Sequence, residues 1–313
     1  MKLITRSIVA AALCIAALTC AAKDHQGIVS ANSAPGRFSL IENSVPASIV
    51  VDEAENSAVK IAASNLAADF GRVCGTPADV LSRPAAGRMI IAGTVDGPGL
   101  APLRKSGAVD LDSLVGKTEQ YVITTVDNPL PGVDRAVVVA GSDRRGAVYG
   151  LYELSEQIGV SPWYDWADVP VEHHDNLSLA PGTYTAGEPA VRYRGLFIKD
   201  EAPCLTSWVK NTYGTGYGDH RFYERVFELL LRLRGNYLWP AMWGWAFYAD
   251  DPENSATADR MGVIMGTSHH EPMARNHQEW ARHRKDYGKW NYATNQEVID
   301  RFFAEGIARM KGT

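Results

Sequence analysis

RYRGLFIKDEAP (192–203), FYERVFELLLRLRGNYLWPAMWGW (222–245) and MGVIMGTSHHEPMAR (261–275) share one pattern. In each, an apolar run stops abruptly in carboxylates, tryptophans or histidines. Strands of a parallel α/β sheet or barrel end this way, with the site above their carboxyl edge. In the first part of the second stretch, Phe222, Val226, Leu229, Leu230 and Leu233 recur at three and four residues and predict a helix over 221–234. Strands are expected at 195–198, 236–239 and 263–265. A short helix is expected at 256–261 and a longer one at 295–310, with Val298, Phe302, Phe303 and Ile307 on one face. Three βα units with crossover helices imply right-handed parallel pairing.

Upstream, strand and helix patterns also alternate. Strands are predicted at 48–51, 88–93, 120–125 and 135–141. A helix is predicted at 56–73, with Ala62, Leu66, Phe70 and Val73 on one face and Gly75 closing it. Another is predicted at 145–158, with Ser142 or Asp143 as its cap. Residues 44–170 therefore read as an α/β domain, 23–43 as a flexible lead, 171–190 as a linker and 191–313 as the second βα series.

Composition narrows the function. Hydrophobic residues make up 46% of the 313-residue chain, enough for large cores, and 36 acidic against 31 basic residues give a net charge of −5. The absence of a basic run argues against a nucleic-acid partner. Lys2 and Arg6 precede an apolar stretch from Ile8 to Leu18, too short to span a bilayer and suited to a secretory signal over 1–22. Secreted or periplasmic placement follows; lipid attachment at Cys20, on an outer-membrane lipoprotein, is the alternative. No other run is long enough to cross a membrane. Cys74 and Cys204 are expected as free buried thiols, no Cys/His spacing suggests a zinc site, and no cofactor is expected.

The strand ends supply the chemistry. Asp200 and Glu201 directly follow the first strand of the series, beside Lys199. Adjacent side chains on a strand point to opposite faces, so one carboxylate should face a ligand while the other holds a loop. Hydrolysis of a glycosidic bond takes two carboxyl groups, about 5–5.5 Å apart for retention and 6.5–9.5 Å for inversion. A partner from another strand end is therefore expected. Trp239, Trp243 and Trp245 follow the second strand, and flat rings with a polar edge suit the C–H faces of a sugar. Trp239 and Trp243 are the candidate contacts. His269, His270 and Glu271 follow the third, with Arg275 nearby. This is not the HExxH zinc spacing; imidazoles and a guanidinium suit an anionic group such as a uronate. GSDRRG (141–146) lacks P-loop spacing and reads as a capped helix start. His173 and His174 read as a solvated turn, and the glycine-rich loop from Tyr213 to Gly218 as a lid.

At these residues the chain resembles glycoside hydrolase family 115, the xylan α-glucuronidases. The likeness is densest in GSDRRGAVYGLYELSEQIGVSPWYDWADVPV (141–171), RGLFIKDEAP (194–203), HRFYERVFELLLRLRGNYLWPAMW (220–243) and GTSHHEPM (266–273). It implies a secreted enzyme that removes glucuronic or 4-O-methylglucuronic acid from xylan or a related polysaccharide by inversion. It also implies an N-terminal α/β domain followed by a (β/α)8 TIM-type barrel, of which 191–313 would be the first three βα units. Two departures stand out. Lys199 replaces the asparagine that members often carry before the Asp-Glu pair. The further acidic motifs of the longer family members are not found, so the chain reads as an N-terminal portion, inactive alone. Asp200 is the expected site carboxylate, with Glu201 supporting it. Two rivals remain: a hexosaminidase-like barrel glycosidase and a non-catalytic carbohydrate-binding protein. The oligomeric state is left open, a homodimer of the longer protein being one option.

Overall fold

In the computed structural model, residues 27–32, 34–267 and 271–310 are described. The expected signal segment, Cys20, His269 and His270 lie outside them.

Three sheets organise the chain. The largest has the order β10-β7-β8-β6-β4-β5, from β4 (Ser48–Val50), β5 (Val80–Leu81), β6 (Met89–Thr94), β7 (Tyr121–Leu130), β8 (Val133–Gly141) and β10 (Thr183–Ala186). β8, β6, β4 and β5 run parallel, while β7 and β10 are antiparallel. Its two faces alternate residue by residue. Ile49, Ile90, Ala92, Ile123, Val137 and Val139 pack with helices α1 (Ser57–Cys74) and α3 (Arg144–Gln157). Val50, Met89, Ile91, Val122, Val138 and Ala140 pack on the other side with Leu103 of the short helix α2 (Ala101–Ser106). Covering both faces explains why β8 reads as an unbroken apolar run.

Local chemistry sets the helix ends. The Asn56 side chain accepts from the Ala58 N–H at 3.0 Å, and Gly75 closes α1 in the left-handed conformation. Asp143 caps α3, accepting from Gly146 N–H at 2.8 Å. A Cβ on Gly141 would lie 1.9 Å from Ala147 N. GSDRRG is thus a tight strand-to-helix turn, as its spacing suggested.

Several expectations are corrected. The lead is not a free segment: β1 (Val29–Ser30) and β2 (Phe38–Glu42) lie within it, and Phe38, Leu40 and Ile41 are buried. The linker contains β9 (Leu177–Leu179) and β10. β9 sits between β1 and β2 in a second sheet, β1-β9-β2-β3, with β3 at Val45–Pro46. These strands are too short to show a clear period, and their partners lie over a hundred residues away: Arg37 donates to the Ser178 hydroxyl (2.7 Å) and carbonyl (2.6 Å). The β7–β8 hairpin is longer than expected. A register shift between Asp127 and Leu130 absorbs Pro129 as an irregularity within the strand, where the sequence reads as a loop.

The third sheet is parallel, in the order β11 (Gly195–Phe197), β12 (Tyr237–Trp239), β13 (Ile264–Met265). Helices α4 (Cys204–Tyr213) and α5 (His220–Arg232) connect β11 to β12; α6 (Phe247–Asp250) and α7 (Glu253–Met261) connect β12 to β13. Helices α8 (His277–Arg282), α9 (Arg284–Tyr287) and α10 (Tyr292–Arg309) follow. Helix α4 was not expected; it includes Tyr213, the first residue of the glycine-rich loop. Tyr213 ends this helix, packs against Trp208 (5.9 Å between centroids) and accepts from Arg225 (2.9 Å). Cys74 is a buried free thiol as expected, but Cys204 is exposed.

One apolar cluster runs through both halves, joining Leu66, Phe70 and Tyr152 to Phe222, Phe227, Leu230 and Met261. Ion pairs line the seam. Glu119, nearly fully buried, accepts from Arg145 (2.5 Å), Arg194 (2.6 Å) and Asn236 (2.7 Å). Burial alone would raise its pKa, but hydrogen bonds from Asn236, Arg194 and Arg145 prevail and hold it below the ordinary 4.5. A depressed folded pKa stabilises above the unfolded value, and that stability is lost as pH falls through the folded one. Urea midpoints should therefore drop as pH falls below about 4.5. Glu119→Gln should flatten that acid limb while lowering the midpoint at pH 7. An unchanged acid limb in the variant would refute this assignment.

Candidate functional site

Beyond the carboxyl edge of β11, which ends at Phe197, the chain turns and the adjacent carboxylates part. Asp200 turns inward and is 4% exposed, while Glu201 is exposed. Glu201 pairs with Lys199 at 3.2 Å, with both side chains half in solvent. Such a pair is weak and leaves both groups open to a ligand.

Asp200 is committed to the tryptophan loop. Its Oδ1 accepts from the Trp243 N–H (2.9 Å), and its Oδ2 from those of Gly244 (2.6 Å) and Trp245 (2.8 Å). The Thr206 hydroxyl donates to its backbone carbonyl. Of the pair expected at the site, Asp200 is buried against the loop and Glu201 is exposed.

The loop separates its tryptophans. Trp245 is buried, edge-on to Phe222 at 5.7 Å. Trp243 is 49% exposed and Trp239 is 40% exposed. Trp239 stands edge-to-face with Phe197 at 5.8 Å and donates its indole N–H to the Tyr237 hydroxyl at 2.8 Å. A Cβ on Gly266 would lie 1.9 Å from that hydroxyl, so the close Tyr237 pairing depends on a glycine at the end of β13. The edge therefore presents two indoles, an ammonium and a carboxylate. Rings can cover the apolar face of a sugar, and charged groups can orient its substituents.

Two expected contacts lie elsewhere. Glu271 is fully buried and accepts from Asn276 Nδ2 at 2.8 Å. Burial, and next the charge of the interior Glu271, push the Tyr248 hydroxyl above its usual pKa. Arg275 is also buried, paired with Glu279 (3.4 Å) and Glu305 (3.6 Å) over the ring of Phe302 at 3.8 Å. It links Glu279 of α8 to Glu305 of α10. A lone motif arginine gives no hint of this, because its partner Glu305 comes from α10, thirty residues on. Asn276, Gln278 and Arg282, which touch the tryptophan loop, were missed. The one available signal was the Asn276–Glu279 capping box. Among the described residues no group of three or more His, Cys, Asp or Glu side chains could hold a metal ion, and no helix is long and apolar enough to cross a membrane.

The architecture and this edge define a mixed α/β protein with a tryptophan-, lysine- and carboxylate-lined site at its parallel strand ends. Residues 186–313 match the model of Glycosyl hydrolase family 115, and this part of the chain belongs to that family. The likeness to a solved structure extends further. A family GH115 4-O-methyl-α-glucuronidase with specificity for decorated arabinogalactans aligns over 88% of the chain at 32% identity and a TM-score of 0.75. The chain spans 35% of that protein's length. A β-hexosaminidase of Streptomyces plicatus aligns at 11% identity and a TM-score of 0.44, over 74% of this chain and 42% of that one. A family GH20 β-N-acetylhexosaminidase from Streptomyces coelicolor A3(2) aligns at 14% and 0.44, over 76% and 44%. No curated protein matches the chain.

Proposed function

We propose that the chain is the N-terminal part of a secreted family 115 glycoside hydrolase that removes α-linked glucuronic or 4-O-methylglucuronic acid from a plant polysaccharide by inversion. The carrying observation is the grouping of exposed Trp239, Trp243, Lys199 and Glu201 at one strand-end edge. In this reading the indoles stack on the sugar, Lys199 meets the uronate carboxylate and Glu201 is the site carboxylate. Asp200 acts through the loop. β11, β12 and β13 begin a (β/α)8 barrel behind an N-terminal α/β domain. Residues 1–22 act as the secretory signal, with lipid attachment at Cys20 as the alternative. Glucuronoxylan and decorated arabinogalactan are both candidate polymers, the second because the solved relative acts on it.

Inversion needs a second carboxyl group about 6.5–9.5 Å from the first. Asp200 and Glu271 are both buried, and Glu201 is the exposed carboxylate of the Asp-Glu pair. The chain alone is therefore expected to bind a glucuronic-acid-substituted xylo-oligosaccharide without releasing uronic acid. Calorimetry against that ligand and its unsubstituted counterpart tests recognition, and an assay for released uronic acid tests turnover. Trp243→Ala should weaken binding by about tenfold, equivalent to ~1.4 kcal/mol. Equal affinity for the neutral oligosaccharide would refute the uronate assignment. Turnover by the chain would refute the need for a second carboxylate from outside it.

A further inference from the structure

We infer that Gln278 and Arg282 of helix α8 are positioning residues that fix the Trp243 indole for ligand contact, an assignment resting on the sugar-stacking role proposed for that ring. Three successive carbonyls of the tryptophan loop receive side-chain donors from this one segment. Asn276 Nδ2 reaches the Met242 carbonyl at 3.4 Å. Gln278 Nε2 donates to the Trp243 carbonyl. Arg282 Nη2 donates to the Gly244 carbonyl at 2.7 Å. From the opposite side Asp200 takes the N–H groups of Trp243, Gly244 and Trp245, and Asp250 accepts that of Ala246 at 2.6 Å. Asp250 also pairs with Arg282, so one guanidinium braces both the loop and the carboxylate that ends it.

A short loop does not need this much fastening merely to turn the chain. Loops with unfixed backbone lose conformational entropy when a ligand orders them, and prior fixing removes that cost. The backbone is gripped on both sides while the Trp243 ring stays in solvent and the Trp245 ring is buried as an anchor. Helix α8 is held in turn. Its Asn276–Glu279 capping box closes the N-terminus, Arg309 of α10 donates to both oxygens of Glu279 at 2.9 and 2.8 Å, and Trp280 packs edge-on against Phe302 of α10 at 5.2 Å. The orientation of one exposed ring is thus coupled to a helix 35 residues later in sequence, as the Gln278–Trp243 separation shows.

The test uses the chain labelled with 5-fluorotryptophan, with the Trp243 resonance assigned through Trp243→Phe. Gln278→Ala and Arg282→Ala should each shift or broaden the Trp243 fluorine signal and leave that of Trp163, which precedes the βα series, in place. Each should weaken binding of the glucuronic-acid-substituted xylo-oligosaccharide by about fivefold to tenfold. In a Trp243→Ala background, Arg282→Ala should weaken binding no further. Arg282→Gln keeps a donor for the Gly244 carbonyl and should restore part of the signal and the affinity. An unchanged Trp243 signal in both alanine variants would overturn the assignment whether or not the ring binds sugar. So would a full additional loss from Arg282→Ala in the Trp243→Ala background. A disturbed signal with no effect of Trp243→Ala on binding would instead leave the positioning intact and refute the stacking role beneath it.

Discussion

Asp200→Asn is expected to loosen the tryptophan loop and abolish measurable ligand binding, although the side chains are nearly isosteric. The carboxylate accepts three backbone N–H groups with its two oxygens. An asparagine has one acceptor oxygen, and its amide would point N–H groups at loop N–H groups. Leaving buried donors unpaired costs about 1–3 kcal/mol each, so the variant should lose ~3 kcal/mol of stability in denaturant unfolding. The Trp243 ring should lose its fixed orientation at the same time. A directly catalytic Asp200 makes the contrary prediction: Asp200→Asn would keep its unfolding midpoint and its affinity. Glu201→Gln provides the comparison. That side chain is half exposed and hydrogen-bonded to the likewise exposed Lys199 at 3.2 Å, so stability should change by less than about 0.5 kcal/mol.

The largest stability effect is expected at Arg232. Its side chain is 2% exposed, paired with fully buried Asp69 at 2.9 Å and with Glu228 at 2.8 Å. The rings of Tyr152 and Tyr164 lie 4.6 and 5.0 Å from its guanidinium carbon. Asp69 belongs to α1 and Arg232 to α5, so the pair ties the N-terminal α/β layers to the βα series. Removing one member of a buried pair strands the other charge, at a cost of about 3–5 kcal/mol. Arg232→Met should destabilise the chain by that amount in chemical denaturation. Arg72 still pairs with Asp69 at 2.7 Å, which places the effect at the lower end. Adding Asp69→Asn removes the stranded charge and should recover part of the loss. A cost under about 1 kcal/mol for the single variant would show that the seam does not depend on this network.

Much of the architecture was legible because it rests on local signals. The apolar faces of α1, α3 and α5 recur at helical spacing, Asn56 and Asp143 are typical caps, and β6, β8, β11 and β12 are bounded apolar runs. The elements that were missed depend on distant partners. β9 is three residues long and exists because β1 and β2 flank it. α4 lacks a side-chain cap bond at its start, and its Trp208 and Tyr213 pack against Phe222 of α5. The site followed the same division. The abrupt ends of the strands pointed to this edge, but β11 stops at Phe197, so alternation along a strand does not account for the parting of Asp200 and Glu201. Which one turns inward depends on where the tryptophan loop lies, and no local rule gives that position.

By itself, the sequence determined that parallel strands end in tryptophans and carboxylates, and its motifs carried the family resemblance. Periodicity, caps and abrupt strand ends are properties of neighbouring residues, so they can be read along the chain. Tertiary structure alone decided that Asp200 and Arg275 are buried and paired, that Glu201 and Trp243 are exposed, and that α8 grips the loop from 35 residues away. Burial and hydrogen-bond pairing arise between residues distant in sequence, and they determine whether a polar side chain supports the fold or meets a ligand.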